Sequence, residues 1–386
     1  MRYVYIIFAL LAQLLFGGCS TISNTIDAIN PFASSASRMP SLPSFTASAD
    51  VREQWSVSVG KAGDFVFVPA VVGNVVFAAG SSGSVVRIED GKIVWKIDAG
   101  QSLSAGVGAN GKLVVVGTPK GDVLAFSAED GKPLWKARVS SEVLVAPTVG
   151  DEGVAVKSGD NHVFLLDALD GGRKWVYQRA MPPLAVRGSG APVFADRYVF
   201  VGYPGGKLVA LAMQNGAPVW EGAVALPKGA TELDRVADVV APPTVDGRQI
   251  CAAAFQGRIV CFDMGQGGAM VWSRDISSVN GVVMDGRYLF AADDKGTVHA
   301  LDRLSGSTLW KQDKLKNRRL SAPLVWRGMI AVADGEGVVH FLSREDGSFV
   351  ARLKTDGNPV RAPLLSLGSA VVAQTSGGKV IAIEAR

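Results

Sequence analysis

Cysteine, histidine and charge are all scarce in this chain. Three cysteines in 386 residues exclude the disulfide framework that staples small secreted domains. Charged residues make up 19%, and the formal net charge of +4 falls to +3 without Arg2. The only basic cluster is KNRR at residues 316–319, which excludes nucleic acid as a partner. No Cys-x-x-Cys-His haem motif, P-loop or Gly-x-Ser-x-Gly elbow occurs. The N-terminal apolar stretch, residues 4–16, has 13 residues and is too short to cross a bilayer core as a helix.

What the chain has in abundance is apolar residues, 48%, and glycine, 45 residues against 8% aromatics. That balance suits many short strands joined by tight turns, in a chain long enough to bury a large core. The sentence VLAFSAEDGKPLW, residues 123–135, alternates apolar positions, turns through an acidic glycine and ends on tryptophan. It recurs. Gly91, Gly131, Gly171, Gly216, Gly268 and Gly306 are each followed four residues later by Trp95, Trp135, Trp175, Trp220, Trp272 and Trp310. Successive tryptophans lie 40, 40, 45, 52 and 38 residues apart. Trp55 stands 40 before Trp95, and Gly347 opens a last copy with Ala351 in the tryptophan's place.

Each unit carries strand runs of about five residues at roughly ten-residue intervals, with Gly, Asp, Asn or Pro turns between them. Four strands in about 40 residues is the arithmetic of a propeller blade. The predicted fold class is all-β, an eight-bladed β-propeller of four-stranded antiparallel blades. Residues 103–107 are taken to begin the second unit. The last unit stops at Arg386 one strand short, and the strand from Trp55 to Val59 (WSVSV) stands alone at the other end. Pairing the two closes the ring and removes its open edges. Each tryptophan is expected to wedge against the adjacent blade, its glycine supplying a positive φ. Ala351 predicts a looser junction, plugged by side chains such as Phe349.

Before the repeat, Met1-Arg2, the apolar stretch and LFGGCS at residues 15–20 resemble a bacterial lipoprotein signal. The resemblance implies removal of residues 1–18 and lipidation of Cys19, with Ser20 after it directing outer-membrane delivery. Acyl chains would anchor the protein stably. Residues 19–50, rich in Ser, Ala, Thr and Pro, read as a flexible tether spanning roughly 30 Å. The propeller then occupies residues 51–386.

The Gly-x-x-x-Trp repeat resembles the tryptophan-docking repeat of pyrroloquinoline quinone dehydrogenases, also eight-bladed. Such an enzyme needs a calcium site of converging oxygens and a catalytic aspartate. The acids here fall mainly at repeated turn positions (Glu129, Asp130, Asp167, Asp263, Asp302, Asp346), where they satisfy backbone donors. His299 and His340 hold the same slot in adjacent repeats, three residues after Gly296 and Gly337, and the ring keeps such slots apart; His162 sits in a turn. The expectation is no enzyme, no cofactor and no metal. Cys251 and Cys261 flank the turn at Gln256-Gly257. They form either a cross-strand disulfide or two buried small hydrophobes, depending on register.

Two irregularities remain: residues 179–191 (RAMPPLAVRGSGA) after Trp175, and residues 226–243 (LPKGATELDRVADVVAPP) after Trp220. Both connect an outer strand to the next inner strand, so they emerge side by side on one face. Long loops on a rigid scaffold are where binding resides. Signal, tether, propeller and loops together resemble the BamB family, lipoprotein subunits of the complex (BAM) that inserts β-barrel proteins into the bacterial outer membrane. The most specific segments are PPLAVRGSGAP (182–192) and GATELDRVADV (229–239). The resemblance implies docking on the POTRA domains of BamA through Leu184, Val186 and Arg187 and the loop residues Glu232, Asp234, Arg235 and Asp238, with Val240 where the family carries a second aspartate. It also implies other BAM subunits and unfolded outer-membrane proteins as partners, a membrane contact through the lipid anchor alone, and a location on the periplasmic face of the outer membrane. The alternatives are a periplasmic quinoprotein dehydrogenase and a propeller scaffold for another cell-envelope partner.

Overall fold

Each repeat folds into a four-stranded antiparallel meander because its apolar residues recur at strand period between glycine-bearing turns. The computed structural model describes residues 39–186 and 190–385. Its strands form eight four-stranded sheets. Seven are consecutive in sequence, spanning residues 70–98, 108–138, 148–177, 193–223, 244–274, 282–312 and 324–354. We number these blades one to seven. Blade eight joins three C-terminal strands to the N-terminal strand Val51–Ser58, which pairs with Lys379–Ala385. The ring is closed by this strand, as the sequence predicts. Strand bounds agree with it to within a residue or two in most blades. In blade two, however, the innermost strand is Gly108–Ala109 and not residues 103–107. Those residues are buried but bond across to neighbours: the Leu103 amide donates to Ser81 at 3.0 Å and the Val107 amide to Val68 at 2.8 Å.

Every outer strand of blades one to seven carries a register shift just before its tryptophan, or before Ala351 in blade seven. In blade two Ala125 faces Trp135 while Phe126 faces Pro133, so Leu134 bulges out. The closing strand repeats this, with the shift between Glu53 and Trp55. Such a bulge increases local twist and re-aims the next side chain. Here it turns the indole into the junction with the following blade. Nε1 of Trp95, Trp135, Trp175, Trp272 and Trp310 donates to a carbonyl of the next blade at 2.8–3.2 Å. The ring lies on the next repeat's glycine. At Gly347 φ is +71°, and a Cβ there would stand 2.5 Å from Trp310. Each Gly-x-x-x-Trp segment thus serves two different junctions, its glycine taking the previous indole and its tryptophan reaching the next blade.

The junction between blades seven and eight, at Ala351, is closed differently from the expectation. Ala351 is buried in a cluster with Trp326, Phe341 and blade-eight residues, and Ala49 and Val51 pack against it. Phe349 belongs to the neighbouring cluster and stacks on Phe45 at 5.2 Å. The residues just before the closing strand do the work of the missing indole. Residues 42–50, assigned by composition to the tether, therefore lie against the propeller from Leu42 onward. The Ser48 amide bonds the Val350 carbonyl at 2.9 Å, and the Arg352 guanidinium donates to the Pro43 carbonyl at 3.1 Å. Polar composition hides this docking, since its apolar contacts come from Leu42, Phe45 and Ala49 scattered among polar residues. Cys19 and the signal residues lie outside the described residues.

Cys251 and Cys261 face one another directly in blade five, with Cα atoms 4.1 Å apart, and form a disulfide. That register brings the two sulfurs together, so the alternative of two free buried thiols is set aside.

Candidate functional site: two loops on one face

In a meander blade the outer strand ends on the face where the next inner strand begins. The turns between the second and third strands open on the same face. Both long loops are such outer-to-inner connections and share this face with the turns at Tyr203–Gly206 and Phe255–Gly257. Their bases, including Ala191, Ala241 and Pro242, line the mouth of the central opening, a cavity of about 290 Å³. Their tips do not line it.

The first loop is anchored at its start, where Arg179 pairs with Glu221 of blade four at 3.0 Å and covers the Tyr203 ring. Burial works to raise the Glu221 carboxyl, but Lys207 and Arg179 hold it below its usual range. Pro182 and Pro183 then stiffen a turn that leaves Leu184 48% exposed, while Val186 is half-buried. Arg187 lies outside the described residues.

The second loop divides in two. Its tip, residues 226–235, is exposed throughout and presents Leu226 and Leu233, 57% and 69% exposed. The tip holds its own shape. The Asp234 carboxylate accepts from the Thr231 hydroxyl and amide at 2.7 and 3.1 Å; those bonds, the hydroxyl's first, hold its pKa below the usual carboxylate range. Arg235 pairs with Glu232 at 2.9 Å and reaches the Gly229 carbonyl. The stem, residues 236–241, is buried. Val240 lies in that stem, where an aspartate would be withdrawn from solvent.

Asp238 also lies in the stem and is only 1% exposed. Its carboxylate is spent inside the protein, accepting from the Val186 amide at 2.6 Å and the Gly205 amide at 2.9 Å. The assignment of Asp238 to a partner contact is corrected on this point: it faces the first loop, not solvent. Glu232, Asp234 and Arg235 are exposed as that assignment requires. Leu226 and Leu233 stand in the sequence only as isolated leucines in a polar loop, and their exposure emerges from the fold. The expected pairing of Arg187 with Asp234 or Asp238 falls outside the described residues.

The chemistry of the turns follows the expectation. Asp130, Asp167, Asp263, Asp302 and Asp346 each accept the amide two residues on, at 2.8–3.2 Å. Glu129 differs, contributing its main-chain carbonyl to Arg87. His299 and His340 each pair with an aspartate of their own blade, Asp293 and Asp334, at 2.9 and 3.0 Å. Among the described residues no three His, Cys, Asp or Glu side chains converge as a metal site would need.

The chain matches the sequence profile described as outer membrane protein assembly factor BamB over residues 81–312 and 294–386. It is 41% identical to the outer membrane protein assembly factor BamB of Bordetella pertussis over 96% of this chain and 95% of that one. The chain belongs to the BamB family. The crystal structure of BamB from Moraxella catarrhalis superposes with a TM-score of 0.81 at 29% identity, covering 87% of this chain and all of that one. The quinohemoprotein alcohol dehydrogenase of Comamonas testosteroni superposes with a TM-score of 0.68 at 13% identity, over 86% of this chain and 76% of that one. That likeness is one of fold alone. The relatives across the full length are named for assembly and not for a reaction, which sets the dehydrogenase alternative aside.

Proposed function

We propose that this protein is a non-catalytic scaffold subunit of the BAM complex, and that its two-loop face docks on the POTRA domains of BamA. The observation that carries this reading is the pairing of two long loops on one face, with leucines at their tips held out from a rigid ring. Leu184, Leu226 and Leu233 supply an apolar patch, and Glu232, Asp234 and Arg235 supply a charged margin. An apolar centre with a polar rim is the composition of a protein contact. Such a patch on a propeller whose strand edges are closed into a ring has no intramolecular use.

Lipidation at Cys19 would hold the protein to the outer membrane on its periplasmic face. Residues 20–41 would then serve as tether, a span of roughly 25 Å for a flexible chain, letting the propeller reach periplasmic domains. The scaffold would hold those domains in a productive orientation while unfolded barrel proteins pass, with no covalent step.

The test is binding of the soluble body, starting at Leu42, to purified BamA POTRA domains, with Leu184→Ala and Arg187→Ala alongside. Truncating an anchor at a contact centre costs about 2 kcal/mol or more. Loss of affinity with an unchanged circular dichroism spectrum supports the reading. No binding by the unaltered body sends the function to another envelope partner.

A further inference from the structure

Lys157 ends the second strand of blade three, outside both loops, and is buried. Its Nζ donates to the Gly202 carbonyl of blade four at 2.9 Å and lies 5.4 Å from the centre of the Tyr203 ring. Asp238 reaches the same place from the second loop. One carboxylate oxygen holds the Val186 amide of the first loop and the other holds the Gly205 amide of blade four. The Asp238 main chain pairs both ways with Phe255 of blade five, at 2.8 and 3.3 Å. Next to it, the Val239 amide bonds the Tyr203 carbonyl at 3.2 Å. A carboxylate taken out of water with only amide donors is costly unless a cation is buried with it. Arg179, the other cation against the Tyr203 ring, is committed to Glu221. Burial pushes the Lys157 ammonium down to about 8, and Asp238 pulls the other way.

We propose that Asp238 bolts the first loop to the second and that the buried Lys157 ammonium, which bonds Gly202 and makes no direct ion pair with Asp238, balances its charge through space, so that both act as positioning residues for the partner contact and neither touches the partner. The role in partner binding rests on the proposed function; the bolt itself does not. The chemistry suits the task. A charged acceptor makes stronger bonds to amides than a neutral one, so one side chain can hold the Val186 amide firmly against the second loop. A cation from blade three makes the arrangement depend on three blades at once.

The experiment uses the full mature chain in detergent, as Asp238→Asn, Lys157→Met and the double variant. Three quantities are followed: amide exchange at Val186 and Gly205, the melting temperature, and affinity for BamA POTRA domains. Asp238→Asn is expected to speed exchange at Val186 by about tenfold or more with the blade strands unchanged. Lys157→Met is expected to lower the melting temperature, since it strands a buried carboxylate, and the double variant to restore it. Affinity stays weak in the double variant, because the loop is still loose. A structural role alone predicts that affinity recovers with the melting temperature, and that result overturns the proposal. So does unchanged protection of Val186 in Asp238→Asn. If the unaltered protein does not bind POTRA domains, the function fails while exchange at Val186 still decides the bolt.

Discussion

His340 meets Asp334 at 3.0 Å through Nε2, while its Nδ1 accepts a hydrogen bond from Arg352 at 3.1 Å. With Arg352 donating, Nδ1 carries no hydrogen, so the buried imidazole is neutral and Nε2 is the donor. Asp334 is shared with Arg318 at 2.6 Å, and Arg318 also holds Glu336 at 2.6 Å. Arg352 in turn holds the Pro43 carbonyl. A neutral histidine therefore links a buried ion pair of blade seven to the N-terminal segment.

This arrangement gives a stability that falls in mild acid. Burial holds the His340 imidazole below its ordinary value of 6.5, with Asp334 opposing and Arg352 and Arg318 assisting. The folded state thus prefers the neutral ring. Its contribution is complete above about pH 6.5 and is lost as pH falls through the lower folded value. Urea unfolding at pH 8, 6.5 and 5.5 should show this loss, and His340→Gln should flatten it. An identical pH slope in the variant would count against the assignment.

At Trp310 the indole and the next repeat's glycine are one unit. Trp310→Ala should cost about 3–5 kcal/mol. Gly347→Ala should cost about 2–4 kcal/mol from its positive φ and the clash with the ring. Together they should cost clearly less than the sum, because without the indole the new methyl no longer clashes with that ring, although its positive φ still costs. Additive losses in urea unfolding would mean that the two do not share a junction.

The segment at residues 42–50 should behave as part of the propeller. Phe45 stacks on Phe349 and lies under the Arg352 guanidinium at 4.9 Å. Phe45→Ala should cost about 1–2 kcal/mol, and a body starting at Val51 should melt lower than one starting at Leu42. Equal melting temperatures would show that the segment contributes nothing.

Much of this was legible in the sequence because the repeat writes the fold twice, once in strand spacing and once in Gly-x-x-x-Trp. The missing tryptophan at Ala351 was equally visible. Its substitute was not, since Phe45 and Ala49 sit among serines and prolines with no period to betray them. The two loops announced themselves by length. The burial of Asp238 did not, because it is set by contacts with the first loop and with blades four and five that only the folded ring brings together. Cys251 and Cys261 were visible as candidates, but pairing required a register that two turn residues alone do not specify.

The two-loop face is where this protein is proposed to meet its partner. The most direct measurement places a photo-crosslinking residue in the intact lipoprotein, in cells, at Leu184, Leu233, Leu169 or Leu304 in turn. All four are exposed, but Leu169 and Leu304 lie in turns on the opposite face of the ring. If that face makes the contact, adducts with BamA form from Leu184 and Leu233 and none from Leu169 or Leu304. Adducts from the second pair with none from the first would contradict it.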